Sequence, residues 1–117
     1  MRTRVKQIFD AAIVNTDRQL TFEPDGTVYV KTGDIPAEWL RDPSAQARPY
    51  LFFLGADPQK ANLLKKIIQR QANYILIDAY ANAFREDGSI WERKYALDSL
   101  CYPVLLAWTY WQMLRAR

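Results

Sequence analysis

Within the run Thr32-Gly33-Asp34-Ile35-Pro36-Ala37-Glu38-Trp39-Leu40-Arg41-Asp42, three carboxylates lie beside one arginine and one tryptophan. Carboxylates accept hydrogen bonds from hydroxyls, and a guanidinium offers a planar fork of donors. An indole adds an apolar face with a donor at its edge. A sugar ring, with hydroxylated edges and apolar C–H faces, calls for this mixture. The residues alone leave a structural reading open as well. In that reading Asp42 caps a following helix and Arg41 pairs with Asp34.

Two further groups invite the same question. The segment Asp78-Ala79-Tyr80-Ala81-Asn82-Ala83-Phe84 follows a long helical pattern and reads as a loop. Loops on a rigid scaffold are where binding groups are commonly displayed. The third group, Trp91 to Tyr102, contains Glu92, Arg93 and Asp98. If this stretch is helical, Tyr95, Asp98 and Tyr102 share a face. Asp98 is set among apolar residues, where an unpartnered carboxylate would be costly. It either holds a neighbouring arginine or faces a polar cavity.

What the chain lacks narrows the chemistry. It has no histidine and one cysteine, so acid–base work falls to carboxylates, tyrosines or lysines. A thiolate-rich metal site is excluded, and neither metal nor cofactor is expected. Cys101, in an apolar stretch, reads as an inert buried thiol. The net charge of +3 is spread along the chain. The clusters Arg2/Arg4/Lys6 and Lys65/Lys66/Arg70 alternate with apolar residues, as solvated helix faces do. No basic stripe interleaves with aromatics, which argues against nucleic acid. Leu100 to Leu114 is apolar but short for a membrane span and flanked by Asp98 and Arg115, so a buried helix is expected. No apolar leader precedes Asp10, which favours the cytoplasm.

Several elements must position these groups. Val5, Ile8, Phe9, Ala12 and Ile13 recur at helical spacing, predicting a first helix that ends near Asn15. Leu20 and Phe22, then Val28 and Val30, alternate around Pro24-Asp25-Gly26, which predicts a β-hairpin. Asp42-Pro43 and Asp57-Pro58 each pair a capping carboxylate with a proline suited to the first helical position. The first should open a helix reaching Leu54 and stopped by Gly55. The second should open a longer one with Leu63, Leu64, Ile67, Ile68, Gln71, Tyr74 and Ile75 on one face. After a loop from Asp78 to Ile90, a last helix is expected from Trp91 or Glu92 to Arg115, kinked at Pro103. It is apolar nearly all round and needs neighbours on several sides. Too few helices precede it to cover it, so the chain reads as part of a larger helical array. Alone, it would expose an apolar patch and tend to self-associate.

Read together, Thr32 to Leu51, Arg70 to Phe84 and Trp91 to Trp111 resemble glycoside hydrolase family 125, the metal-independent exo-α-1,6-mannosidases. The resemblance runs from about Val5 to the C-terminus. It implies a mainly α protein, the N-terminal portion (residues 1–117) of one (α/α)6 barrel domain, or toroid, with a short β-hairpin near its start. It implies release of terminal mannose from an α-mannoside or oligosaccharide, with inversion and without a metal. The acid and base carboxylates of the family lie beyond this region. Asp34, Trp39, Arg41, Asp42, Tyr80, Asn82, Glu92, Arg93 and Asp98 become the expected sugar-pocket residues, and the chain by itself is expected to be inactive. Pro43 stands where a serine is usual, Ala79 where a proline is usual, and the loop from Arg85 to Ile90 is short. These departures bear on the shape of the pocket mouth. Two other readings are a non-catalytic binding or assembly module derived from such a barrel, and another (α/α) barrel glycosidase.

Overall fold

The structure, a computed structural model, describes residues 2–116. Its helices are α1 (Arg2–Asp17), α2 (Arg41–Ala47), α3 (Pro58–Ile77) and α4 (Leu97–Arg115), and a 3-10 segment, Arg48–Phe53, follows α2. The strands are β1 (Leu20–Phe22), β2 (Val28–Val30), β3 (Glu38–Trp39), β4 (Ala83–Phe84) and β5 (Ile90–Glu92). β1 and β2 form the expected antiparallel hairpin, with Leu20 opposite Val30 and Phe22 opposite Val28. Its turn places Gly26 at φ 85°, a left-handed conformation that glycine adopts without steric cost. A second, three-stranded antiparallel sheet runs in the order β3-β4-β5.

α3 is the packing centre. Asp57 caps it with an extended backbone, its Oδ1 accepting from the amides of Gln59 (3.0 Å) and Lys60 (3.1 Å), and Pro58 takes the first helical position. Two otherwise orphaned N–H donors are thereby satisfied. Asp57→Ala is expected to cost about 1 kcal/mol in urea denaturation. Leu64 and Ile67 of α3 are fully buried against Val28 and Val30 of the hairpin, Tyr50 and Leu51 of the 3-10 segment, and Leu106 of α4. A smaller cluster, Leu40, Tyr74, Ala81 and Phe84, lies under the three-stranded sheet. There the Tyr74 and Phe84 rings stack 4.3 Å apart at 5°.

Several expectations are corrected. α1 continues to Asp17, and of its apolar stripe Val5 and Ile8 stay exposed while Ile13 is buried, because α1 meets partners only along its last turns. Asp42 does not cap α2. Leu40 occupies the cap position with an already helical backbone, and Asp42 stands in the first turn, held by Arg41. A carboxylate there still complements the helix dipole. The α-helix gives way at Ala47 because Pro49 has no N–H to give to Ala45. The Arg48 amide bonds the Ala45 carbonyl instead, and the chain tightens into the 3-10 segment. Gly55 takes no left-handed φ and is not the stop; the Ala56 and Asp57 amides turn the chain by bonding the Phe53 carbonyl.

The stretch after α3 is also more structured than a loop. Ile90–Glu92 is recruited as a strand, so α4 begins at Leu97 and not at Trp91 or Glu92. Ladder bonds to β4 outcompete helix extension there, with Trp91 bulged out between the pairs Ala83–Glu92 and Phe84–Ile90. Tyr95 therefore shares no helical face with Asp98 and Tyr102. α4 carries Pro103 in its interior and buries Ser99, Pro103 and Leu106 against its neighbours. Its other faces are open: Val104 (61%), Trp108 (55%) and Leu105 (47%) remain exposed. Cys101 is exposed for the same reason and is not a buried thiol. Among the described residues, no helix is long and apolar enough to cross a membrane.

Candidate functional site

Three segments far apart in sequence meet at the β3-β4-β5 sheet. Glu38 lies opposite Phe84 and Trp39 opposite Ala83, while Ala83 lies opposite Glu92 on the far side. Asn82 extends the ladder at one end. Its carbonyl accepts from the Leu40 amide (3.1 Å), and its own amide donates to the Glu92 carbonyl (3.1 Å). The loop that delivers β3 closes on Thr32, whose hydroxyl accepts from the Trp39 amide (3.4 Å) and donates to the Ala37 carbonyl (3.4 Å). Gly33 sits at φ 68° with open space where a Cβ would be. Gly33→Ala is therefore expected to cost about 1–2 kcal/mol in denaturation through backbone strain alone.

Arg41 and Asp98 are joined across the fold. Arg41 Nη1 donates to Asp98 Oδ2 at 2.8 Å, and Arg41 Nε donates to Asp42 Oδ1 at 3.1 Å. The hydrogen bond from Arg41 holds the Asp98 carboxyl below the usual carboxylate range, and the two carboxylates in turn raise the guanidinium. Asp98 thus holds a neighbouring arginine at the start of α4. Arg41 pairs with Asp42 and Asp98 in place of the expected Asp34, which makes no side-chain bond to any described residue. Arg41 and Asp98 side chains are each nearly half exposed, and the fork's remaining N–H donors meet no acceptor among the described residues.

A second group is aromatic and cationic. Arg93 Nε donates to Asp78 Oδ2 at 2.7 Å, and its guanidinium lies 5.7 Å from the centre of the Tyr80 ring. Tyr80 in turn contacts the Tyr95 ring at 5.8 Å. The bond from Arg93, followed by the Tyr80 amide, lowers the Asp78 carboxyl. Asn82 is buried and spends both ends of its amide on the protein: Nδ2 donates to Glu92 Oε2 (3.2 Å) and Oδ1 accepts from the Lys94 amide (3.1 Å). Trp39 is half-buried and Tyr80 exposed.

Beneath the sheet is a charged cluster that the sequence did not announce. Arg70 is buried, not on a solvated face as its neighbours Lys65 and Lys66 suggested. The signal was its spacing: Arg70 falls on the buried stripe of α3 with Ile67, Gln71 and Tyr74. Its Nε donates to the Tyr74 hydroxyl (2.6 Å), Nη1 to the Thr27 hydroxyl (3.1 Å), and Nη2 to the Glu86 carbonyl. Glu38 is fully buried, with Oε2 3.6 Å from Arg70 Nε. Burial pushes its carboxyl up to about 8, against the lowering influence of the Val30 amide, Arg70 and the Tyr74 hydroxyl. Arg70 and Tyr74 also line a cleft of about 420 Å³, together with Glu23, Asp25, Glu86 and Asp87. None of the nine expected sugar-pocket residues lines it.

Among the described residues, no group of three or more cysteine, aspartate or glutamate side chains could hold a metal ion. A family model described as metal-independent α-mannosidase, glycoside hydrolase family 125, matches residues 2–117. The meiotically up-regulated gene 157 protein of Schizosaccharomyces pombe is 36% identical over a 104-residue alignment covering 70% of this chain and 20% of that protein. A solved structure from Streptococcus pneumoniae, described as a metal-independent α-mannosidase in a non-productive substrate complex with α-1,6-mannobiose, is also similar. It has a TM-score of 0.84 and 38% identity, over 91% of this chain and 29% of that chain. The chain thus spans less than a third of the length of either relative.

Proposed function

Because the chain belongs to glycoside hydrolase family 125, the metal-independent α-mannosidases, we propose that it forms one wall of the sugar site of an exo-α-1,6-mannosidase. In this reading it is the N-terminal portion of a single (α/α)6 barrel. The observation that carries the proposal is the meeting of its three chemistry-bearing segments at one sheet, with Arg41 and Asp98, 57 positions apart, in direct contact. Arg41 offers its remaining donors to mannose hydroxyls, while Asp42 and Asp98 fix the guanidinium and accept hydroxyl protons with their free lone pairs. Trp39 and Tyr80 supply ring faces for the sugar's C–H surface, and Arg93, held by Asp78, flanks Tyr80. Asp34, with no partner among the described residues, is free to accept from a hydroxyl. Asn82 and Glu92 bond chiefly each other and shape this wall more than they touch sugar.

An inverting enzyme needs an acid carboxyl to protonate the leaving oxygen and a base carboxylate to activate water, roughly 6.5–9.5 Å apart across the ring. We assign neither to a residue of this chain. The exposed apolar faces of α4 and α1 support a barrel whose other helices cover them, and in their absence the chain self-associates. Two measurements test the reading. In a 15N NMR titration with α-1,6-mannobiose, the resonances of Trp39, Arg41 and Asp98 should shift while those of the α3 core stay still. Fused to the remaining two-thirds of a family member, the chain should release mannose; a well-folded fusion with no affinity for mannosides would overturn the assignment.

A further inference from the structure

β3 is two residues long and carries only two ladder pairs. So short a strand specifies its register poorly by backbone bonds, and a slip of one residue exchanges the two faces. Such a slip would turn the Trp39 indole into the core and Glu38 outward, and would carry Arg41 away from Asp98. Glu38 is the side chain that distinguishes the two registers. Its Oε2 accepts from the Val30 amide of β2 (3.2 Å) and the Tyr74 hydroxyl of α3 (3.4 Å), beside Arg70 (3.6 Å). Its Oε1 has no hydrogen-bond partner among the described residues, so the group is held in the core at a cost that an apolar residue of similar volume would avoid. Buried polar groups of this kind are best attested as register devices.

We propose that Glu38 is a positioning residue: by bonding β2 and α3 it sets the register of β3 and thereby places Trp39, Arg41 and Asp42 at the sugar-facing wall. The path is continuous. Glu38 fixes Trp39 opposite Ala83, the Leu40 amide then meets the Asn82 carbonyl, and Arg41 emerges within reach of Asp98. What the wall binds rests on the mannoside reading, whereas the positioning does not.

The test compares Glu38→Met, which keeps the volume and removes the polar atoms, with Glu38→Gln, which keeps an acceptor for the Val30 amide. In Glu38→Met, amide exchange at Leu40 should accelerate at least tenfold while the Asn82 amide, bonded to Glu92, and α3 stay protected. The Arg41 Nη1–H resonance should move as the bond to Asp98 is lost. Glu38→Gln should restore both. A folded Glu38→Met chain with unchanged exchange at Leu40 and an unmoved Arg41 Nη1–H resonance overturns the proposal.

Should Glu38→Met not fold, hydrogen exchange on the parent chain decides. The Val30 amide, which donates to Glu38, and the Leu40 amide, which donates to the Asn82 carbonyl, should open together with the same protection. A Leu40 amide that exchanges at least tenfold faster than that of Val30 would mean that β3 slips while Glu38 stays bound, and overturns the proposal equally. Mannobiose plays no part in these readouts. A chain that binds no mannoside would sink the functional reading, and the positioning role would still stand or fall on the exchange data.

Discussion

Raising the pH from 5 to 8 is expected to lower the unfolding free energy of this chain by roughly 3–4 kcal/mol, and Glu38→Gln should abolish most of that slope. The cause is the buried Glu38 carboxyl, raised from its ordinary 4.5 to about 8 chiefly by desolvation. A group whose folded value lies above its unfolded one binds its proton more tightly in the native state. Its contribution is therefore complete below the unfolded value and disappears as the pH rises through the folded one. Glu23, also raised by burial, acts in the same direction. The lowered carboxyls, Asp25, Asp78, Asp87 and Asp98, work oppositely, but their contributions are lost as the pH falls, on the acid side of this window. With no histidine in the chain, no imidazole titrates alongside Glu38. Urea denaturation at pH 5, 6, 7 and 8 reads the effect. A flat profile in the parent, or an undiminished slope in Glu38→Gln, would show that Glu38 is ionised in the fold throughout.

Arg41→Met should weaken α-1,6-mannobiose binding by roughly 10- to 100-fold, the scale of a lost hydrogen bond to a charged group. It should leave stability nearly untouched. The ion pairs it removes are about half exposed, and pairs of that kind contribute about 0–1 kcal/mol. Arg41→Lys should rescue little, because an ammonium cannot serve Asp42, Asp98 and a sugar with one planar fork. Asp98→Asn should show a smaller loss, since it frees the guanidinium without removing it. Isothermal calorimetry on the folded variants separates these outcomes. Equal affinity in the parent and Arg41→Met would remove Arg41 from the sugar site, whatever becomes of the family assignment.

Much of this was legible along the chain. Asp57-Pro58 announced the start of α3, and the alternation around Pro24-Asp25-Gly26 announced the hairpin, since caps, prolines and turns act through neighbours in sequence. The spacing of Leu64, Ile67, Gln71 and Tyr74 marked the buried face of α3 for the same reason. Of the nine expected site residues, the structure brings Arg41, Asp42 and Asp98 into direct contact. It joins Asn82 to Glu92, sets Tyr80 against Arg93, and leaves Asp34 without a bond to a described residue.

Where the prediction misread the chain, a partner distant in sequence had intervened. Ile90–Glu92 has a helical pattern running into it, but β4 supplied ladder bonds and made it a strand. Arg70 carries the charge of a surface residue. It is buried because the Thr27 hydroxyl, the Tyr74 hydroxyl and the Glu86 carbonyl converge to replace its water. Cys101 lies in an apolar run, yet it stands exposed on α4.

The sequence alone thus determined the start of α3, the hairpin with its turn at Gly26, and the family, because each is written in local spacing or in motifs that survive as strings. Tertiary structure alone decided which charges are buried, which face of α4 is covered, and that Arg41 reaches Asp98. Those outcomes depend on desolvation and on bonds between segments dozens of residues apart, and no local pattern specifies either.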